Sequence, residues 1–229
     1  DIDQATKFLS DLYQIKDAKG AEELPTAAEA CFSLGALFAN IQSRRDRLTF
    51  SSSNAEFRAF LADKFDPAFE SIKVRSIGAV SKTGMTLYDE LPLGMRTLSP
   101  SDFGFHNALR RDKSEIVFLD FEYFGWDDPV KLVSDFWWHP GMQLTAPIKN
   151  VWLNKTIMVF GQEQTFLNRL NALHPAYGVR WSLIVLNKFL DTSNSRDQIQ
   201  LGTQLNKSVN LCNIVSDWLR NKRSITKRI

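Results

Sequence analysis

Apolar residues recur at helical spacing through the first third of the chain. Ile2, Ala5, Phe8, Leu9 and Leu12 fall between charged and polar residues, the pattern of an amphipathic helix. Gly20 breaks it. A second helix is expected from about Pro25, through Ala28, Cys31, Leu34, Leu37, Phe38 and Ile41, into Arg44 and Arg45. A third begins near Asn54 and carries Phe57, Phe60, Leu61, Phe65 and Phe69. Pro67 lies inside it and should interrupt or kink it, because proline lacks the N–H and crowds the preceding turn. From about Ser76 to Leu98 no clean period survives, predicting a loop with short pieces of structure.

The middle changes character. Gly104 to Leu109 is short and apolar, Arg110 to Ser114 is polar, and Glu115 to Phe121 is β-branched and apolar, which signals a hairpin. Asp128-Pro129 offers a capping side chain followed by proline at the first helical position, so a helix should start there. From about Pro147 to Leu219 the pattern is helical again, with breaks expected near Gly161, His174-Pro175 and Asp191 to Asp197. His139 and His174, each before a proline, read as helix-end residues. The fold class is therefore mainly α, one domain over 1–229 with a central β-hairpin.

Composition changes this picture little. The chain is 44% hydrophobic and 24% charged, enough to bury a sizeable core. A net charge of +2 argues against a nucleic-acid or anionic-membrane partner. The exception is the basic run Arg220, Lys222, Arg223, Lys227 and Arg228, read as a solvated helix end and tail. Cys31 and Cys212 lie far apart in apolar patterns. They suit a reducing compartment, so a cytoplasmic location is expected. No uninterrupted run of about 18 apolar residues occurs, so no membrane span is expected.

Candidate chemistry concentrates in two adjoining segments, 99–107 and 118–129. Phosphoryl transfer asks the protein for a carboxylate beside the attacking hydroxyl and for oxygen ligands that hold Mg²⁺ against nucleotide phosphates. Asp102 and Asn107 are five apart on what should be one tight loop, and Asp120 ends the following strand. A hairpin folding back brings Asp120 beside that loop. Each residue also has an ordinary reading: Asp102 as a turn cap, Asn107 bonding a loop carbonyl, Asp120 as a surface carboxylate. His106 reads as a packing or hydrogen-bonding residue, Asp128 as a helix cap. Trp126 is either packing or one wall of a box for a cationic substrate.

The D-x-x-x-x-N loop, the hairpin and then Leu119-Asp120-Phe121-Glu122-Tyr123 resemble the aminoglycoside phosphotransferase and choline kinase family, with a protein-kinase-like fold. Gly125-Trp126-Asp127-Asp128-Pro129 is similar to the G-x-x-D-P stretch that starts the next helix in bacterial members. The resemblance implies a helical C-terminal lobe, with the hairpin carrying the catalytic loop. It implies Asp102 as general base, Asn107 and Asp120 as Mg²⁺ ligands, and Glu122 near the metal or the substrate; Trp126 and Asp127, on the adjoining loop, are further substrate-binding candidates from their own chemistry. ATP would be co-substrate. The acceptor would be an amino-alcohol, an aminoglycoside or another sugar, a cationic one being suggested by Glu122, Asp127 and Asp128.

Two departures stand out. The family places His-Gly before the catalytic Asp, where this chain has Pro100-Ser101. Bacterial members often place an Asp three residues after the Pro of D-P; here that residue is Leu132, and Asp135 follows three later. Nothing before Asp102 supplies the glycine-rich hairpin and strand lysine that grip phosphates in such kinases. The expectation is a lobe of a longer kinase, its N-terminal lobe packing on this domain. The alternative is a catalytically inactive binding or scaffold domain.

Overall fold

A computed structural model describes residues 1–51, 54–112, 115–161, 164–190 and 198–220. The expected first helix is α1, Ile2–Ile15, which buries Ala5, Leu9 and Leu12. The second starts later than its apolar spacing suggests: α2 is Leu34–Ser51. Ser33 caps it, its hydroxyl accepting from the Ala36 N–H at 3.1 Å. Residues 25–33 are instead an irregular strap. The Pro25 carbonyl accepts from the Trp126 N–H at 2.8 Å, and the Ala27 N–H donates to the Trp126 carbonyl at 2.9 Å. Those backbone groups find their partners across the chain, and Glu29 at φ 57° is incompatible with a right-handed helix.

The third helix behaves as proline chemistry demands. Asn54 caps α3, Ala55–Phe60, by accepting from the Phe57 N–H. A π-helical turn over Leu61–Phe65 follows, then α4, Asp66–Ser81, with Pro67 in its first turn. The wider turn relieves the clash that Pro67 would otherwise make with the preceding carbonyls. α4 runs six residues, Ser76 to Ser81, into the stretch expected to be loop. Its Ser76 is fully buried, and the hydroxyl donates to the Ala172 carbonyl at 2.6 Å.

Two small antiparallel sheets follow. β1, Thr97–Ser99, pairs with β4, Gly125–Asp127; β2, Ala108–Arg111, pairs with β3, Glu115–Phe118. The second pair is the expected hairpin. Gly125 is squeezed between β1 and the strap, where a Cβ would lie 2.2 Å from the Pro25 carbonyl oxygen; only glycine allows that approach.

α5, Pro129–Trp138, starts where Asp128-Pro129 predicts: the Asp128 side chain accepts from the Val130 N–H, and all ten helical residues are buried. α6 is Ala146–Phe160, ending at Gly161 as expected. α7, Gln164–Ile184, corrects the sequence reading, because it continues through His174 and Pro175. His174 is no helix-end residue. It is fully buried, hydrogen-bonded to the Ser134 hydroxyl at 3.0 Å, and packed against Trp137, Trp138 and Trp218. α8 is Gln198–Arg220. The break expected over 191–197 and the basic tail beyond Arg220 lie outside the described residues. α7 packs on α2, α4, α5 and α8, so the core gathers around it. Cys31 and Cys212 are buried free thiols, and no described helix is long and apolar enough to cross a membrane.

Candidate active site

The loop joining β1 to β2 turns sharply at Ser101, which sits at φ 69°. A left-handed residue is costly unless it is glycine, and the family resemblance has glycine here. Two bonds hold Ser101 in place: its N–H donates to the Ser99 hydroxyl at 2.9 Å, and its own hydroxyl donates to the Ala28 carbonyl at 2.8 Å. The turn presents Asp102 with its side chain 47% exposed. Phe103, in the opposite direction, is buried and stacks on Phe8 of α1, 5.4 Å between ring centroids. Alternate residues thus anchor the loop and display the carboxylate.

Asn107 folds back on Asp102. Its amide nitrogen donates to the Asp102 backbone carbonyl at 2.9 Å and to Oδ2 at 3.2 Å. With the NH₂ so engaged, the amide oxygen remains as the outward ligand atom. His106 Nε2 meets the other carboxylate oxygen at 3.0 Å. Hydrogen bonding from His106 is the main cause that holds the Asp102 carboxyl below its usual range, against the opposing effect of burial. Asp102 is therefore an ionised acceptor at neutral pH. His106, expected as a packing or hydrogen-bonding residue, is both: it bonds Asp102 and stacks on His139.

The hairpin returns Asp120 to this loop. The Leu119 N–H donates to the Asn107 carbonyl at 2.9 Å, extending the β2–β3 ladder by one bond. The next residue, Asp120, turns out at φ 65° and is exposed. The Tyr123 pKa is raised, chiefly by Glu122, with smaller contributions from burial and the Asp120 and Asp102 carboxylates. Asp102 and Asn107 are thus in direct contact, and the Leu119–Asn107 backbone bond sets the exposed Asp120 one residue beyond that loop. Their free atoms are oxygens, the donor set a small hard cation such as Mg²⁺ takes, with room left for water and phosphate.

A second grouping is less suited to a metal. Asp102, His106 and His139 bring ligand atoms within 4.8 Å of one another. The two imidazoles, however, stack 3.9 Å apart with planes inclined by only 3°. Ring-nitrogen lone pairs lie in the ring planes, so near-parallel rings cannot both point at one ion. Burial pushes the His139 pKa down to about 4, and its Nδ1 already accepts from the Gly141 N–H.

Trp126 and Asp127 correct the expectation of a substrate box. Trp126 lies in β4, between β1 and the strap, and is 7% exposed, its indole N–H donating to the Ala21 carbonyl at 2.9 Å. Asp127 is fully buried. Its Oδ2 meets Lys131 Nζ at 2.8 Å, and its Oδ1 accepts from the Asp128 N–H. Asp128 is equally buried, capping α5 and paired with Arg169 of α7. Lys131 also reaches the Asp135 carboxylate at 3.4 Å and the Ser101 hydroxyl at 3.4 Å. Burial opposes its charge, but Asp127 and Asp135 outweigh it and raise its pKa. A buried lysine, with Asp135 behind it, braces the β1–β2 loop from α5.

Beside Asp102 opens a cavity of about 500 Å³. Glu29, Arg44, Lys131, Asp135, His139, Arg180 and Trp181 line it, with Tyr123 and Ser101 near the mouth of the loop. The strap, α2, α5 and α7 all contribute.

Comparison with known proteins gives the same architecture from outside. Among solved structures the chain is similar to spectinomycin phosphotransferase, APH(9)-Ia, in complex with ADP and spectinomycin. The likeness has a TM-score of 0.57 at 12% identity and covers 94% of this chain. The fold is kinase-like and mainly helical. The chain spans 66% of the length of that structure. No protein-family model matches the chain, and no curated protein matches it.

Proposed function

We propose that the chain is the C-terminal, acceptor-binding lobe of an ATP- and Mg²⁺-dependent phosphotransferase acting on a hydroxyl of a small molecule in the cytoplasm. The observation that carries this reading is the Asp102–Asn107 contact beside a cavity of about 500 Å³, with the hairpin bond from Leu119 to Asn107 leading Asp120 back to that loop. Asp102, ionised and held by His106 and Asn107, orients the acceptor hydroxyl and takes its proton as the phosphoryl group transfers. Asn107 and Asp120 would hold the metal, whose charge offsets that of the phosphate oxygens. Glu122, exposed two residues beyond Asp120, would sit near the metal or the substrate.

The neighbour binds ADP and spectinomycin, which supports a nucleotide and a hydroxylated small molecule as the two ligands here. The acceptors implied by the resemblance are an amino-alcohol, an aminoglycoside or a sugar. Asp127 and Asp128 are spent on Lys131 and Arg169, which removes most of the acidic cluster that suggested a cation. The phosphate-gripping N-terminal lobe would come from outside residues 1–229. Leu109, Leu119 and Phe121, 62%, 41% and 42% exposed around the hairpin, give it an apolar seat.

The test is transfer by the complete protein. With ATP, Mg²⁺ and a panel of amino-alcohols, aminoglycosides and sugars, at least one acceptor gains phosphate, and Asp102→Asn lowers that rate by about 10²–10⁴. A protein that binds nucleotide and acceptor but transfers nothing, with Asp102→Asn indistinguishable from wild type, is instead a binding domain.

A further inference from the structure

The cavity beside Asp102 is floored by cations that the proposed transfer chemistry does not use. Arg44 of α2 is 8% exposed and Arg180 of α7 is 3% exposed. One carboxylate, Glu29 on the strap, bridges them: Oε1 accepts from Arg44 Nη2 and Oε2 from Arg180 Nη2. The bridge leaves much of both guanidinium groups unused. Arg44 Nε, Arg180 Nε and Arg180 Nη1 are buried without a hydrogen-bond partner. Arg180 Nη1 has only the Asp135 carboxylate at 3.6 Å, and that carboxylate already accepts from the Trp181 indole at 2.8 Å. Buried guanidinium N–H groups left unpaired are costly, and their planar fork suits an oxyanion.

Glu29 differs from the groups it joins. Its side chain is 42% exposed while the arginines are buried, and it sits in the left-handed region at φ 57°, a conformation unfavourable for glutamate. Burial opposes its charge, yet the two arginines hold its carboxyl below the usual range. It is a carboxylate reaching in from the rim to cover a cationic floor.

We propose that Arg44 and Arg180 form an oxyanion-binding subsite, that Glu29 occupies it as a displaceable internal stand-in, and that the acceptor carries a carboxylate or phosphate group besides its hydroxyl. The subsite itself stands on the geometry of the cavity; its assignment to the acceptor rests on the phosphotransferase reading. An anion seated on Arg180 lies in the same cavity as Asp102, so it would fix which hydroxyl of the acceptor faces the catalytic carboxylate. The unpaired N–H groups then gain partners, and the strap moves with Glu29.

The probes are inorganic phosphate and acetate, titrated calorimetrically into the complete protein without nucleotide, at ionic strength fixed by sodium chloride. Glu29→Gln removes the competing charge and is expected to bind at least one of the two anions tenfold or more tightly than wild type. Adding Arg44→Gln to that variant returns the affinity to the wild-type level or below. A larger gain with acetate assigns a carboxylate-bearing acceptor, and a larger gain with phosphate a phosphorylated one. A folded Glu29→Gln protein that binds neither anion more tightly overturns the subsite. So does a gain that survives Arg44→Gln, since the anion then sits elsewhere. Because no ATP is present, this outcome is independent of transfer: a protein without kinase activity can still show the subsite, and an active kinase can lack it.

Discussion

Two acid-rich regions lie within 34 residues of sequence and treat their carboxylates in opposite ways. On the loop–hairpin face, Asp102 is half-exposed and Asp120 and Glu122 are exposed. At the start of α5, Asp127 and Asp128 are completely buried and Asp135 nearly so. The first set has oxygen atoms to offer a ligand. The second is already engaged, by Lys131, Arg169, Trp181 and backbone N–H groups. A carboxylate in a functional-looking motif is therefore informative only once its partners are known: the open ones suit chemistry, and the closed ones hold the loop that carries it.

The closed region should be the more sensitive to loss of a partner. Lys131→Met strands two buried carboxylates and is expected to cost about 3–5 kcal/mol in urea unfolding, enough to threaten folding. A loss below about 1 kcal/mol would mean that Asp127 and Asp135 do not depend on Lys131, and the bracing of Ser101 from α5 would fall with it.

Much of this division was legible, and the illegible part has a physical cause. The hairpin, the capped start of α5 and the D-x-x-x-x-N loop follow from local rules of pairing, capping and turn geometry, and the structure has them. Trp126 and Asp127 went the other way because their fate depends on the strap at 25–28 and on Lys131. No local pattern shows that the Pro25 carbonyl will meet the Trp126 N–H. The strap differs from its pattern for the same reason: its apolar spacing is helical, but β4 offers its backbone another partner. At His174 the following proline signals a break, whereas α7 is held on both sides by packed helices.

The buried tryptophan–histidine cluster gives a smaller effect, separate from the site. Burial pushes the His174 pKa down to about 3, against about 6.5 in the unfolded chain. Between those values the unfolded state binds one more proton, so stability is fully present above about pH 6.5 and falls as pH drops. The expected slope from this residue is about 1.4 kcal/mol per pH unit. His139, down to about 4, acts in the same direction. His174→Gln should remove the His174 share of the slope from urea midpoints measured between pH 6.5 and 5; an unchanged slope would mean that His174 is solvated.

Ser101→Gly should have the smallest effect. Glycine relieves the left-handed backbone, a gain of about 1 kcal/mol, but loses the hydroxyl bond to Ala28, also worth about 1 kcal/mol. The melting temperature should hardly move. A large loss would show that the hydroxyl, braced by Lys131, matters more than the backbone.

The contrast between open and closed acids is tested most directly by Asp120→Asn and Asp128→Asn in the complete protein, each scored for thermal unfolding and for ATP-dependent transfer per folded molecule. Asparagine is a good residue at both backbone positions, so charge is the main change. Asp120→Asn is expected to unfold like wild type and lose transfer about a hundredfold or more. Asp128→Asn is expected to lose about 1–3 kcal/mol of stability, through Arg169, and to keep its transfer rate. The reverse result, with Asp120→Asn active and Asp128→Asn stable but inactive, would contradict the account.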